Sequence, residues 1–320
     1  MRQINFYTFH KRIAEHRFDH NNSMSLYVEL LKSNNVVRYE YDGGDNYKFN
    51  GVTINHGSIL IFEYDDTKQF KVFDFGDNPQ LTVELSKSEN FIGAVLGQYN
   101  PKFWDSIITD PLQRKTVVGG IYPETVWQLG MLNFEMIQDI RSSHTLDNRL
   151  YWRGSLYNSG VPDNYLGIRK SIELLPSYLN HTELFNGNHP VPFNLYIQEA
   201  MQFKLALSIG GGGGAICGDF CFRDIEMFGL GIPLIRPKYI VETNDPLIPD
   251  FHYIAVDTDF DADFRYKNHE QLAINIKNRY LEVINDMELL NYISNNARDW
   301  YIKNLSSTNI TNNIIQLLNL

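Results

Sequence analysis

Cysteine is nearly absent: Cys217 and Cys221 are the only two in 320 residues. Two thiols four positions apart supply half of a structural zinc shell and no disulfide framework. The chain therefore reads as reduced and cytoplasmic. Long apolar runs are missing as well. None approaches the ~20 residues that cross a bilayer, and the opening Met-Arg-Gln-Ile-Asn-Phe has no secretory apolar core. No membrane span is expected, which leaves at most a peripheral association. Positive charge is scarce: 28 Lys and Arg stand against 38 Asp and Glu, a formal net charge of −10. Such a chain does not neutralise nucleic-acid phosphates over an extended face, so no nucleic-acid partner is expected. Any phosphate must be met by a local basic pocket.

Glycine, by contrast, is concentrated. Between Ser208 and Pro237, a short apolar run (Lys204 to Ile209) opens into five consecutive glycines, Gly210, Gly211, Gly212, Gly213 and Gly214. Gly231-Ile232-Pro233-Leu234-Ile235 closes the stretch as a turn followed by a buried strand. Arg223 and Glu226 lie three apart, a spacing that puts both on one helix face. A side-chain-free loop, a helix N-terminus and an arginine together make an anion site, most naturally for a diphosphate. Glu226 beside it is placed to accept hydrogen bonds from ribose hydroxyls. The structural alternative is a flexible loop with a surface Arg/Glu pair. Neither common glycine signature fits. The run continues Ala215-Ile216-Cys217 where a Walker loop needs Gly-Lys-Ser/Thr, and no frame across Gly210 to Gly218 has the dinucleotide spacing.

A length of 320 residues suggests two domains, and the polar stretch from Arg141 to Asn148 places the boundary at 142/143. The first domain (1–142) carries strand patterns at Ile4 to Thr8, Gly57 to Tyr64 and Gln69 to Phe75. A hairpin is expected between residues 36–41 and 47–54, turning at Gly43-Gly44. The second domain (143–320) alternates a strand at 149–153, helices near 165–174 and 196–203, a strand at 252–256 and long amphipathic helices from Gln271 onward. Alternation of this kind predicts an α/β fold with a parallel sheet. Ligands of such sheets meet the loops after the strands. That singles out Asp74 and Asp77 after the strand at 69–75, and Arg153, Gly154 and Ser155 after the strand at 149–153; Asp-Asn-Pro is also ordinary turn material. The alternating aspartates at 257–263 fail the EF-hand frame, with Ala262 at the glycine position and Asn268 at the glutamate. They read as a solvated acidic loop, and no metal is expected.

Five stretches, in this order, resemble glycosyltransferase family 90, the protein O-glucosyltransferase and capsule-associated group. They are Phe73 to Gln80 (FDFGDNPQ), Gly119 to Pro123 (GGIYP), Tyr151 to Ser155 (YWRGS), Cys221-Phe222-Arg223 ahead of Gly231, and His252-Tyr253-Ile254 with Asp257. The resemblance spans roughly residues 70–310, and YWRGS with the Phe-Arg…Gly segment is its most specific part. It implies a GT-B-like architecture, two Rossmann-like domains facing a cleft, with the final helix packing back on the first. It also implies metal-independent inverting transfer, by a hexosyl- or pentosyltransferase, from a nucleotide-sugar, a UDP-sugar by preference, with no further cofactor. By motif, Asp77 is the catalytic base, and Arg153 and Arg223 grip the donor diphosphate. Without a leader or disulfides, a glycan or lipid-linked glycan is the better acceptor. A second reading is a catalytically silent relative that only holds nucleotide or glycan. A third, an epimerase-like enzyme, lacks the Tyr-x-x-x-Lys spacing.

Overall fold

In a computed structural model the chain is described over residues 3–8, 31–33, 36, 39–42, 47–54, 59–74, 80–97, 99–102, 117–119, 134–154, 169–187, 191–209, 220–262, 265–305 and 307–320. It is an α/β protein that divides into two compact units. Met1–Gly130, Val241–Pro246 and Asn304–Leu320 make up the first, and Met131–Ile240 with Leu247–Lys303 the second. Among the described residues no helix is long and apolar enough to cross a membrane.

The first unit contains β1 (Ile4–Thr8), β2 (Tyr39–Asp42), β3 (Tyr47–Phe49), β4 (Val52–Ile54), β5 (Ile59–Tyr64), β6 (Phe70–Asp74), helix α1 (Gln80–Leu85), β7 (Phe91–Leu96) and β8 (Val117–Gly119). Six of these strands form a mixed sheet in the order β2-β1-β5-β6-β7-β8. β5 (ILIFEY) is buried at every position, which is why its sequence runs apolar instead of alternating. The β5–β6 turn falls at Asp65–Lys68 as the polar run predicts; Lys68 there takes φ 57° and donates to Asp65 at 2.8 Å.

The expected hairpin about Gly43-Gly44 is corrected. β2 pairs in parallel with β1, Asn5 opposite Tyr39, and the hairpin lies wholly inside 47–54, where β3 pairs with β4. Its turn is Asn50-Gly51, with φ 47° and 82°. Two consecutive left-handed residues are what the right-handed twist of a two-residue hairpin demands, and Asn-Gly adopts them most cheaply.

The second unit runs α2 (Phe134–Ser143), β9 (Asp147–Arg153), α3 (Lys170–Leu174), β10 (Leu184–Gly187), α4 (Phe193–Ala200), β11 (Phe203–Leu207), α5 (Phe222–Leu230), β12 (Leu234–Pro237), β13 (Ile254–Val256), α6 (His269–Val283) and α7 (Met287–Leu305). Its five strands are all parallel, in the order β10-β9-β11-β12-β13. Numbered within the unit this is 2-1-3-4-5, a doubly wound sheet whose order reverses between β9 and β11. Leu150, Trp152, Leu205 and Leu207 face a core built with Ile172, Leu175, Leu272 and Ile276 of the helical segments. A register shift between Phe203 and Leu205 lets Phe203 join Tyr151 and Phe185 in an aromatic layer on the opposite face. Tyr196 of α4 covers that layer.

The helix expected at 196–203 starts earlier, directly after Pro192, and ends at Ala200 so that β11 can begin. The long helical stretch breaks at Ile284–Asp286, where the Asp286 carboxylate accepts from the Leu289 amide at 2.9 Å and restarts the chain as α7. A last helix, α8 (Ser307–Leu318), belongs to the first unit. There Ile310, Ile314 and Leu318 are buried, and Tyr64 and Lys71 donate to the carbonyls of Asn319 and Leu318.

One ion pair ties α5 to β12. Asp224, in the first turn of α5, accepts from the Cys221 amide at 2.9 Å and from the Arg236 guanidinium; both side chains are fully buried. Arg236 also donates to the Pro237 carbonyl at 3.0 Å and lies 3.4 Å from the Tyr239 ring centroid. Removing one partner strands the other charge in the interior. Arg236→Met is expected to cost about 3–5 kcal/mol, and Asp224→Asn combined with Arg236→Met to recover much of it. Urea denaturation of the single and double variants measures both.

Candidate anion-binding site of the second unit

The reversal point of a doubly wound sheet is where two neighbouring strands send their following loops to opposite faces, leaving a crevice beyond their carboxyl ends. Here those strands are β9, which ends at Arg153, and β11, which runs into Ser208 and the glycine stretch. The base of that stretch is clamped. Ser208 Oγ and Cys221 Sγ are 3.1 Å apart, so the chain leaves β11 and re-enters at the start of α5 at nearly the same place.

The structure brings Arg153, Gly154, Arg223 and Glu226 into one neighbourhood. Arg223, in the first turn of α5, donates from Nη2 to the Arg153 carbonyl, and its guanidinium carbon is 5.5 Å from the centroid of the Trp152 ring. Gly154 accommodates this approach closely: a Cβ there would stand 3.2 Å from both Arg223 Nη2 and the Trp152 ring. Asp77, Ser155 and Gly210, Gly211, Gly212, Gly213 and Gly214 lie outside the described residues. Asp74, at the end of β6 in the first unit, is buried and accepts from Thr82 Oγ1 at 2.5 Å, a tie between β6 and α1.

Sequence inspection passed over the groups around these arginines. Glu199 of α4 takes Arg153 in a bidentate pair through Nε and Nη2. Phe185 of β10 lies 5.5 Å below the same guanidinium. Tyr196 is coupled electrostatically to both Arg223 and Glu226, and Tyr151 to Glu199 and both arginines. The available signal was a spacing: Tyr196 and Glu199 stand three apart on α4, as Arg223 and Glu226 do on α5.

The electrostatics follow from burial. Glu226 is 8% exposed, and burial pushes its carboxyl up to about 7 against the opposing pull of Tyr196 and Arg223. Burial works against the Arg223 cation, yet Tyr196, Cys221 and Glu226 outweigh it and keep its pKa raised. Glu199 raises that of Arg153. Burial raises both tyrosine hydroxyls, so they stay protonated donors. Trp152 Nε1, Arg223 Nε and Asn186 Oδ1 are buried without a hydrogen-bond partner, and the buried hydroxyls of Tyr151 and Tyr196 lie beside Glu199 and Glu226. Orphaned polar atoms of this kind are rare in folded proteins, and two of these three are donors. The neighbourhood is chemically suited to an anion with several acceptor oxygens.

No family model matches the chain, and no curated protein sequence matches it. Among solved structures it is similar to a glycosyltransferase from Rickettsia africae ESF-5, at 12% identity over 76% of this chain and 67% of that one, with a TM-score of 0.42. It is also similar to TarM (12% identity, 84% and 66% of the two chains, TM-score 0.33). A third likeness is to the pneumococcal O-GlcNAc transferase GtfA in complex with UDP and GlcNAc (10% identity, 85% and 68%, TM-score 0.31). The chain thus spans about two thirds of the length of each.

The raised carboxyl of Glu226 makes stability depend on pH. Between the ordinary value of 4.5 and about 7 the folded state binds the proton more tightly than the unfolded state. The contribution is therefore fully present below pH 4.5 and is lost as pH rises to about 7. Glu226→Gln removes that loss, so its melting temperature is expected to gain on the wild type between pH 5 and about 7 and to hold that gain at pH 8, as thermal melts across that range will show.

Proposed function

We propose that the chain is a metal-independent inverting glycosyltransferase that moves a sugar from a nucleotide-sugar, preferentially a UDP-sugar, to a hydroxyl of a glycan or lipid-linked glycan in the cytoplasm. The observation that carries this proposal is the meeting of Arg153 and Arg223 at the reversal point of the parallel sheet, beside the orphaned donors Trp152 Nε1 and Arg223 Nε. The motif resemblance to glycosyltransferase family 90 supports the choice of chemistry. It also supports Asp77 as base and the GT-B type of organisation.

In the reaction so proposed, Asp77 takes the proton of the acceptor hydroxyl as its oxygen attacks the anomeric carbon. The bond from that carbon to the diphosphate oxygen breaks on the opposite side, and configuration inverts. The diphosphate leaves with an added negative charge. Arg223, Arg153, the glycine loop and the positive end of the α5 dipole stabilise that charge in place of a metal ion. Glu226 serves the ribose hydroxyls.

A thermal-shift panel of nucleoside diphosphates, followed by donor hydrolysis across UDP-, GDP- and dTDP-sugars, tests the proposal. A ligand at 100 times its dissociation constant stabilises by about 2.7 kcal/mol, well within detection. Stabilisation by a nucleotide without turnover of any donor would favour the silent relative instead.

Four substitutions sharpen the test. A hydrogen bond to a charged group contributes about 1.5–3 kcal/mol, so Arg153→Ala and Arg223→Ala are each expected to weaken UDP binding on the order of tenfold to a hundredfold. Unchanged affinity in both variants removes the anion site. Asp77→Asn keeps the side chain's size but not its basicity, and transfer is expected to fall by about 10²–10⁴-fold with donor affinity near that of the wild type. Asp74→Asn is the matched control. Its carboxylate is committed to Thr82, so its loss is expected in the melting temperature and not in turnover.

A further inference from the structure

Arg153 is held on three sides. Glu199 takes its Nε and Nη2 edge with both carboxylate oxygens, the Phe185 ring lies 5.5 Å beneath, and Gly187 stands opposite Arg153 in the parallel β9–β10 register. A Cβ on Gly187 would fall 2.7 Å from the guanidinium carbon and 2.9 Å from Nε and Nη1. No real Cβ sits that close, so a side chain at 187 would displace the Arg153 guanidinium. The Gly187 carbonyl in turn accepts from the Gly154 amide at 3.0 Å, fixing the backbone beyond Arg153. With side-chain exposures of 13% and 25%, the Arg153–Glu199 pair is not a solvated surface contact of negligible effect.

We propose that Glu199 and Gly187 are the positioning residues of the anion site: together they set the Arg153 guanidinium in the orientation that meets the donor diphosphate. The inference rests on the reading of this neighbourhood as a diphosphate site. An unrestrained arginine loses rotamer freedom when it engages a ligand. For one already held by its Nε edge, that entropy is lost at folding instead of at binding. The pairing uses a carboxylate because only an anion with two acceptor oxygens matches the planar guanidinium edge. It uses a helix-borne glutamate because α4 is fixed by Tyr196 on the aromatic layer.

Two charge-conserving substitutions act on the guanidinium through different neighbours. Glu199→Asp withdraws the carboxylate by one methylene, and Gly187→Ala pushes from beneath. Isothermal titration with UDP and with inorganic pyrophosphate, in wild-type and Arg153→Ala backgrounds, reads the effect. Each substitution is expected to weaken UDP binding about three- to tenfold in the wild-type background and to have no effect once Arg153 is alanine. Circular dichroism establishes that each variant is folded. If one variant does not fold, the other alone decides. A role in folding only would give unchanged affinity in the folded variants, or equal losses in both backgrounds, and either result overturns the inference while leaving the diphosphate site standing. A wild-type protein that binds neither UDP nor pyrophosphate overturns the site and the inference with it.

Discussion

The buried pair between Asp224 and Arg236 is the constraint on which the candidate site depends. Two charges without solvent are stable only when each is met by the other and by further polar groups, which here are the Cys221 amide, the Pro237 carbonyl and the Tyr239 ring. The geometry leaves α5 little freedom: its first turn is fixed to the end of β12. Arg223 is the residue just before Asp224. Fixing one fixes the other, and the guanidinium of Arg223 is thereby brought over Trp152 and onto the carbonyl of Arg153. The site is thus organised from behind, by an ion pair that never meets solvent.

In front of that pair, positive charge is rationed. An acid stands near each arginine of the site, Glu199 paired with Arg153 and Glu226 acting on Arg223 through space, and the two acids are not equivalent. Glu199 is committed to its partner by two hydrogen bonds. Glu226 is buried more deeply, and its carboxyl is pushed up to about 7, so near neutral pH it is partly uncharged and leaves Arg223 the more electropositive of the two. A chain with a formal net charge of −10 can hold an anion only by such local imbalance.

Much of this was legible in the residues, and the remainder was not for definite reasons. Alternating strand and helix patterns after Asn148 announce a parallel sheet, and the Arg-Gly-Ser strand end and the Arg223/Glu226 spacing announce charge at its rim. Strand order is not local information: nothing in Leu184–Gly187 says that these four residues lie beside β9 and not at the far edge. Glu199 was hidden because its partner is 46 residues away, and a half-exposed glutamate on a helix resembles any solvated acid until the fold is known. The Asn50-Gly51 hairpin was different. Its signal was present, and the Gly43-Gly44 pair nearby drew the turn to the wrong place.

The discontinuity of the first unit bears on how the chain acquires its structure during synthesis. Its sheet is assembled from residues before Gly130, but Asn304–Leu320 belongs to it as well, with α8 contributing Ile310, Ile314 and Leu318 to its interior. Every residue of the second unit has been translated by Lys303. The portion made first is therefore the portion completed last. During elongation its apolar helix-docking surface must wait, uncovered, while the later-made half closes. Domains tend to fold as units while the chain emerges, and an early half with an unfilled surface is the species most exposed to misassociation on the ribosome.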